Sequence, residues 1–153
     1  MASDDASRTA VPPPAESHRA ITIRRTAPGR YTARNARGGE LSFGSGGDEA
    51  FTPVELLLAA IGGCSGVDVD LLTARRAEPE AFEVAVEADK VRDEEGNHLA
   101  GASVVFRVRF PEGPEGDAAR AVLPDAVRRS KERLCTVSRT VELPTPVDFA
   151  VEG

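Results

Sequence analysis

Two cysteines are the residues of this chain best suited to chemistry, because Cys64 and Cys135 are its whole thiol inventory. A thiolate is a strong nucleophile that can pass through sulfenic acid and disulfide states, whereas a thiol buried among apolar groups is inert. The two cysteines are either free buried thiols or a redox pair that the fold brings together. The spacing of seventy-one residues leaves both interpretations open.

Glycines surround the first cysteine in the sequence GGCSG (residues 62–66), inside a long apolar run. Each glycine costs about 1 kcal/mol relative to alanine in a helix interior. Three of them predict the close approach of another segment of chain, which serves tight helix packing as well as catalysis. Cys64 lies well beyond the first turn of the predicted helix, so the helix dipole is not its chief activator.

Charged residues decide whether such a thiol ionises. Asp68 follows Cys64 by one helical turn and would disfavour a thiolate, so we expect its carboxylate to be paired or turned away. A thiolate in a dry site requires a fixed positive charge nearby. The N-terminal segment supplies five arginines, Arg24, Arg25, Arg30, Arg34 and Arg37.

Glu55 belongs to the sequence TPVE (residues 52–55), which is a strong helix start. Threonine suits the N-cap, proline the first helical position, and a glutamate three residues after the cap completes a capping box. Capping explains Glu55 without any chemistry. The alternative role is a carboxylate that orients an arginine beside the thiolate.

The remaining pattern predicts the elements that must position these residues. Alternating segments indicate strands, and glycine- or proline-rich segments indicate turns. A helix that begins at Thr52 should end near Arg75 or Arg76, and Pro124 marks the start of the second helix or a kink within it. The order β-β-β-α-β-β-α-β indicates an α+β domain. After a three-stranded meander, the later predicted elements are strands at 82–93 and 102–110, a turn at 94–101, a helix at 117–134 and a final strand at 144–153.

Composition excludes several classes of function. The net charge of −6, the absence of Trp and a single Tyr disfavour a nucleic-acid or anionic-membrane partner. No His/Cys cluster has metal-ligand spacing, so neither a metal nor a cofactor is expected. Residues 1–19 have the composition of a disordered tail and hold no apolar block, residues 20–153 form one predicted domain, and the apolar run at 54–67 is too short to span a bilayer. We expect a cytoplasmic protein.

The segment TPVELLLAAIGGCSGVDV (residues 52–69), followed by LCTVS (residues 134–138), resembles the OsmC/Ohr family, the osmotically inducible and organic hydroperoxide resistance proteins. The resemblance covers roughly residues 20–153. The spacing from Pro53 to Cys64 and the Cys-x-Val-Ser signature at Cys135 are the features that carry it.

This resemblance implies an α+β fold with antiparallel sheets around long central helices, in an intertwined homodimer with active sites at the interface. It also implies a thiol-dependent peroxidase of oxidative-stress defence. Cys64 would attack the O–O bond of an organic hydroperoxide and become a sulfenic acid, and Cys135 would resolve it to a disulfide. A dithiol reductant such as a protein-bound lipoyl group would then restore both thiols.

Two positions depart from the family pattern. The OsmC-type arginine position is Gly44 here, whereas Arg30 matches the hairpin arginine of Ohr-type members and is the implied activating residue, with Arg34 in reserve. The family glutamate falls on Val54 here, and Glu55 comes one residue later, which turns its side chain by about 100° around the helix. We therefore expect a less characterised branch. Two other functions stay open, a non-catalytic dimer that binds a small apolar ligand or senses oxidation, and a structural interaction module with inert cysteines.

Overall fold

The computed structural model describes residues 17–153. The predicted disordered tail lies outside this range except for its last three residues. The chain divides into two compact units, Met1–Pro53 and Val54–Gly153. The predicted single domain over 20–153 stays a prediction.

The N-terminal unit contains the predicted three-stranded meander. Strands β1 (Ile21–Ala27), β2 (Arg30–Asn35) and β3 (Glu40–Gly44) form an antiparallel sheet in that order. The two connections are tight because Gly29 and Gly38 take positive φ angles of 68° and 88°, a conformation that glycine adopts without steric cost. This part of the prediction is confirmed.

The C-terminal unit begins with helix α1 (Pro53–Ala74), which ends close to the predicted position. Its glycines meet the next strand, since a Cβ on Gly62 would lie 2.5 Å from Cγ2 of Val86, and one on Gly66 would lie 3.5 Å from Cγ2 of Val84. A Cβ on Gly63 would meet nothing within 4 Å. Gly62 therefore lets the helix approach the strand more closely than an alanine would, which is the packing role that the sequence left open, whereas a Cβ on Gly66 would make an ordinary contact.

A long hairpin follows α1. Strands β4 (Ala81–Asp93) and β5 (Gly96–Arg109) pair antiparallel, with a bulge between Ala88 and Lys90. The predicted turn at 94–101 is too long, because Gly96 has a positive φ of 96° and the Asp93 carboxylate accepts a bond from the Glu95 N–H. These two features close the turn in two residues and let the strands continue.

The chain then returns to helix. Helix α2 (Pro114–Arg129) starts before the predicted 117 and contains Pro124 in its interior, so that proline does not mark the start of the helix. A π-helical turn (Ser130–Leu134) follows, and helix α3 (Thr136–Glu142) comes after a single residue, Cys135.

The prediction of a final strand over 144–153 is wrong for this chain. These residues have no strand hydrogen bonds in the structure. Their alternating apolar side chains lie in solvent, with Val147 71%, Phe149 93% and Val151 97% exposed. A strand requires a neighbouring edge that supplies N–H and C=O partners, and the described chain does not supply one to this segment.

Helix α1 leaves much apolar surface uncovered, including Val67 at 60% and Leu71 at 62% exposure. The sequence predicts that the apolar run at 54–67 is too short to span a bilayer. The 22-residue helix that contains this run is nevertheless long and apolar enough to cross a membrane, by length and composition alone. Only a third of its apolar window is buried within the single chain. The core helix of an assembled protein has the same character, so this property does not by itself indicate a membrane span.

Candidate functional site

The fold brings the two cysteines together inside the C-terminal unit. Cys64 lies in the middle of α1, and Cys135 lies between the π-helical turn and α3. Their Sγ atoms and a carboxylate oxygen of Asp68 all lie within 4.8 Å of one another. The two side chains share a hydrogen bond, and both thiols are free. The sequence left a redox pair and two separate thiols open, and the geometry favours the pair.

The π-helical turn sets the position of Cys135. Its N–H donates to the carbonyl of Ser130, five residues earlier, over 2.9 Å, and its carbonyl accepts from the N–H of Arg139 over 2.9 Å. The chain thus ends one helix and begins the next at this residue. Single π-helical turns of this kind occur often at functional sites, where the extra residue redirects a side chain.

Cys135 caps helix α3 through its sulfur. Its Sγ accepts the N–H of Ser138 at 3.3 Å and lies 3.2 Å from the Ser138 hydroxyl oxygen. Serine, threonine and aspartate usually fill this position, because their oxygen atoms accept the same orphan N–H. The cap therefore supplies the sulfur with hydrogen-bond donors that favour its ionised form.

Hydrogen bonding overcomes burial at Cys135. Its side chain has no exposed surface, and burial raises the pKa of Cys135. Hydrogen bonds from the Ser138 hydroxyl and N–H, from the Ser65 hydroxyl and from the Cys64 thiol outweigh that effect, so the pKa of Cys135 falls below its ordinary value. The thiol without access to solvent is thus the one that ionises more readily.

Cys64 has the opposite balance. It is half-buried, and burial is the largest effect that raises its pKa. A bond from the Val137 N–H lowers the pKa of Cys64, but Cys135 and the charge of Asp68 raise it, and the net direction is upward. None of these groups is a cation. The positive charge that a thiolate at Cys64 needs is therefore not among the groups that set the pKa of Cys64.

Asp68 is paired but not turned away. The Ser130 hydroxyl donates to its Oδ2 at 2.9 Å, which confirms the expected pairing. The carboxylate nevertheless stays beside both sulfur atoms. Its position on the next helical turn holds it on the same side of α1 as Cys64.

Arg30, Arg34 and Glu55 are the other predicted site residues. Arg30 forms an ion pair with Asp48, and Arg34 donates from Nε to Glu40 over 3.0 Å, both within the N-terminal unit. Glu55 lies in the first turn of α1 with an exposed side chain. The catalytic roles of these three residues remain predictions.

Three serines contribute to the site without having been predicted. The spacing from Cys135 to Ser138 matches an N-cap and its third helical residue, so a capping search that accepts cysteine would have found Ser138. Ser65 follows Cys64 directly, but its bond to Cys135 depends on the tertiary fold. Ser130 reaches Asp68 through the π-helical turn, for which the sequence carries no signal.

An apolar cavity of about 430 Å³ lies in the same unit. Ser65 and Ser138, the two residues whose hydroxyls bond to Cys135, form part of its wall. The charged residues Lys131 and Glu142 also line it. The remaining wall comes from small and apolar residues, which are Ile61, Gly101, Ala102, Val104, Phe106, Val127 and Val141.

The chain is thus an α+β protein with antiparallel sheets and a pair of adjacent free thiols. The sequence pattern described as OsmC-like protein matches residues 46–150, and the chain therefore belongs to the OsmC-like family. This finding confirms the resemblance stated from the two cysteine motifs. The OsmC/Ohr family includes hydroperoxide-reducing enzymes.

Individual relatives are distant. An uncharacterized protein of Mycobacterium tuberculosis is 29% identical over 132 residues, which cover 86% of this chain and 94% of that protein. An OsmC-like protein of unknown function from Vibrio cholerae aligns with a TM-score of 0.68 at 12% identity, covering 82% of this chain and 94% of its own. The organic hydroperoxide resistance protein OhrB of Bacillus subtilis aligns with a TM-score of 0.58 at 17% identity, covering 86% and 95%. These structures support the α+β fold, and their distance agrees with a less characterised branch.

Proposed function

We propose that this protein is a cysteine-based peroxidase that reduces organic hydroperoxides, with Cys64 as the peroxidatic residue and Cys135 as the resolving residue. The observation that carries the proposal is the hydrogen-bonded contact between the two thiols in a member of the OsmC-like family. The difference in exposure supports this order of roles, because Cys64 is half-buried and Cys135 is fully buried. A peroxide from solvent would therefore meet Cys64 before Cys135.

The chemistry balances with these two residues alone. The Cys64 thiolate attacks the distal oxygen of the hydroperoxide, an S–O bond forms, the O–O bond breaks, and the leaving alkoxide takes a proton to become an alcohol. The Cys135 thiolate then attacks the Cys64 sulfur, and the hydroxyl group leaves as water. Two thiols and one hydroperoxide thus give one disulfide, one alcohol and one water. An external dithiol, such as a lipoyl group on a protein, then reduces the disulfide and restores both thiols.

The raised pKa of Cys64 requires a cation for efficient attack at neutral pH. Arg30 is the proposed source, with Arg34 in reserve, and Glu55 is the proposed carboxylate that orients the arginine. Both arginines have carboxylate partners in the N-terminal unit, Asp48 and Glu40 respectively. Activation through Arg30 therefore involves exchange of its Asp48 partner for the thiolate.

A homodimer in the cytoplasm is the proposed working form. Exposed apolar side chains on α1, such as Val67 and Leu71, favour burial against a second copy. The alternating segment 144–153 is suited to pair with a strand edge on that copy, which would form the strand that the single chain lacks. Size-exclusion chromatography with light scattering tests this state, and a monomer at micromolar concentration contradicts it.

Turnover of cumene hydroperoxide with a dithiol reductant tests the enzymatic proposal. Wild-type protein should consume the peroxide over many cycles, and Cys64→Ser should reduce consumption to the uncatalysed rate. Asp70→Asn is the control, because it changes an exposed side chain of the same helix and leaves both thiols. Equal rates for fully reduced wild type and Cys64→Ser would eliminate the proposed activity.

A second candidate function is a non-catalytic dimer that binds a small apolar ligand or senses oxidation. The apolar cavity and the raised pKa of Cys64 favour it. This function predicts slow reaction of Cys64 with peroxide, together with saturable binding of an apolar probe. Phe106→Ala, which changes the cavity wall, should weaken the probe and leave the thiol reaction unchanged.

A further inference from the structure

We propose that the reduced thiols of Cys64 and Cys135 and the carboxylate of Asp68 together bind a soft divalent cation such as Zn²⁺. Formation of the disulfide would release the ion, since a disulfide no longer offers two thiolate ligands. The binding stands apart from the peroxidase activity, and only the release step rests on the proposed redox chemistry.

The arrangement of the donor atoms carries the inference. Cys64 and Asp68 lie four residues apart on α1, and residues at this spacing share one helix face. Cys135 adds a third donor from the junction before α3, and the three ligand atoms lie within 4.8 Å of one another. With Zn–S near 2.3 Å and Zn–O near 2.1 Å, donors around a tetrahedral ion are about 3.5–4 Å apart. Small side-chain rotations therefore close the set.

Neighbouring groups already orient two of these donors. The Ser130 hydroxyl donates to Oδ2 of Asp68 at 2.9 Å, and the Ser138 N–H donates to the sulfur of Cys135 at 3.3 Å. Such outer-shell bonds fix ligating groups in metal sites and affect affinity strongly. Three protein ligands leave a fourth position for water, and the half-buried Cys64 and Asp68 give the site access to solvent.

Charge explains why a carboxylate lies beside two thiols. The carboxylate of Asp68 lies within 4.8 Å of both sulfur atoms, and these three groups together attract a divalent cation when the thiols are ionised. Sulfur ligands select a soft ion over Mg²⁺ or Ca²⁺, which prefer oxygen donors. The sequence showed no His/Cys cluster, since this set is completed by the fold.

Titration of the reduced full-length protein with Co²⁺, followed by competition with Zn²⁺, tests the proposal. One Co²⁺ per chain should bind with a thiolate-to-metal absorption band, and Zn²⁺ should displace it. Oxidation to the disulfide should abolish the band. Ser130→Ala should weaken Zn²⁺ binding by about 10- to 100-fold, as for other outer-shell changes, and Asp68→Asn should weaken it further. Asp70→Asn, an exposed carboxylate two residues later on the same helix, is the matched control and should bind as wild type.

Two results would overturn the proposal. One is a reduced wild type that gives no thiolate band. The other is an Asp68→Asn protein that binds Zn²⁺ as tightly as wild type, which would mean that any dithiol takes up the ion. Circular dichroism checks that each variant is folded, and Ser130→Ala provides an independent test if Asp68→Asn is not. Because metal affinity is measured without peroxide, failure of the peroxidase activity does not affect this experiment.

Discussion

The surroundings of Cys64 and of Cys135 differ in exposure, in hydrogen bonding and in their effect on the pKa of each thiol. Cys64 lies on a helix next to glycines, half-exposed and close to a carboxylate, and its pKa is raised. Cys135 caps a helix, is fully buried and receives several hydrogen bonds, and its pKa is lowered. The accessible thiol is thus the one less ready to ionise. A peroxidase built on this pair needs a further charge at Cys64, whereas Cys135 is already prepared to attack.

The largest expected effect comes from removing the thiol of Cys135, whose pKa is lowered. Cys135→Ser should stop disulfide formation and dithiol-dependent turnover, because no second sulfur is present to resolve the Cys64 sulfenic acid. Cys64 should then accumulate as sulfinic acid under excess peroxide, which intact-mass spectrometry detects. Cys64→Ser is the reference, and it should show no oxidised Cys135 under the same conditions. Equal oxidation of both single variants would mean that the two thiols do not have separate roles.

The second-largest effect is expected from removing the positive charge that is proposed to activate Cys64. Arg30→Gln should slow the reaction of Cys64 with peroxide by about tenfold or more, since each unit of pKa increase lowers the thiolate fraction tenfold below that pKa. Stopped-flow measurement at neutral pH gives the rate. Arg34→Gln is the matched control in the same strand and should react as wild type. A slower reaction in Arg34→Gln alone would assign the activating role to Arg34. An unchanged rate in both variants would remove both arginines from the mechanism.

The glycines near Cys64 allow a comparison of stability rather than chemistry. Gly62→Ala should lower the free energy of unfolding by about 1–3 kcal/mol, because the new methyl group overlaps the stiff side chain of Val86. Gly63→Ala meets nothing within 4 Å in the single chain, and it should raise stability by up to about 1 kcal/mol through helix propensity. Urea denaturation measures both. If Gly63→Ala lowered the free energy of unfolding as much as Gly62→Ala, another surface would have to cover Gly63 in the assembled protein.

The sequence predicted the elements better than it predicted the site. Capping and alternation located the meander, α1 and the long hairpin, because these signals are local. The final strand at 144–153 was wrong, because pairing depends on an edge that the segment itself does not determine. For the same reason the sequence identified Cys64 and Cys135 but not the approach of Ser130 to Asp68, which depends on a π-helical turn. It also named the arginine by resemblance alone, and no local pattern distinguishes Arg30 from Arg34.

The smallest expected effect concerns the carboxylate that raises the pKa of Cys64. Asp68→Asn removes a negative charge, so the pKa of Cys64 should fall and the thiolate fraction at pH 7 should rise. The alkylation of Cys64 by iodoacetamide should therefore become about two- to fivefold faster, as for an interaction of up to about 1 kcal/mol between partly exposed groups. The effect should disappear at a pH well above the pKa, where the thiol is ionised in both proteins.

Alkylation is measured in the Cys135→Ser background with a chelator present, so that one thiol reacts and no metal competes. Asp70→Asn is the control, because it removes the same charge from an exposed position of α1. Equal acceleration in both variants would reflect the net charge of the helix rather than the contact at Cys64. Acceleration in Asp68→Asn alone would assign the difference between the two thiols in part to this carboxylate, and slower alkylation would give Asp68 the role of a proton acceptor instead.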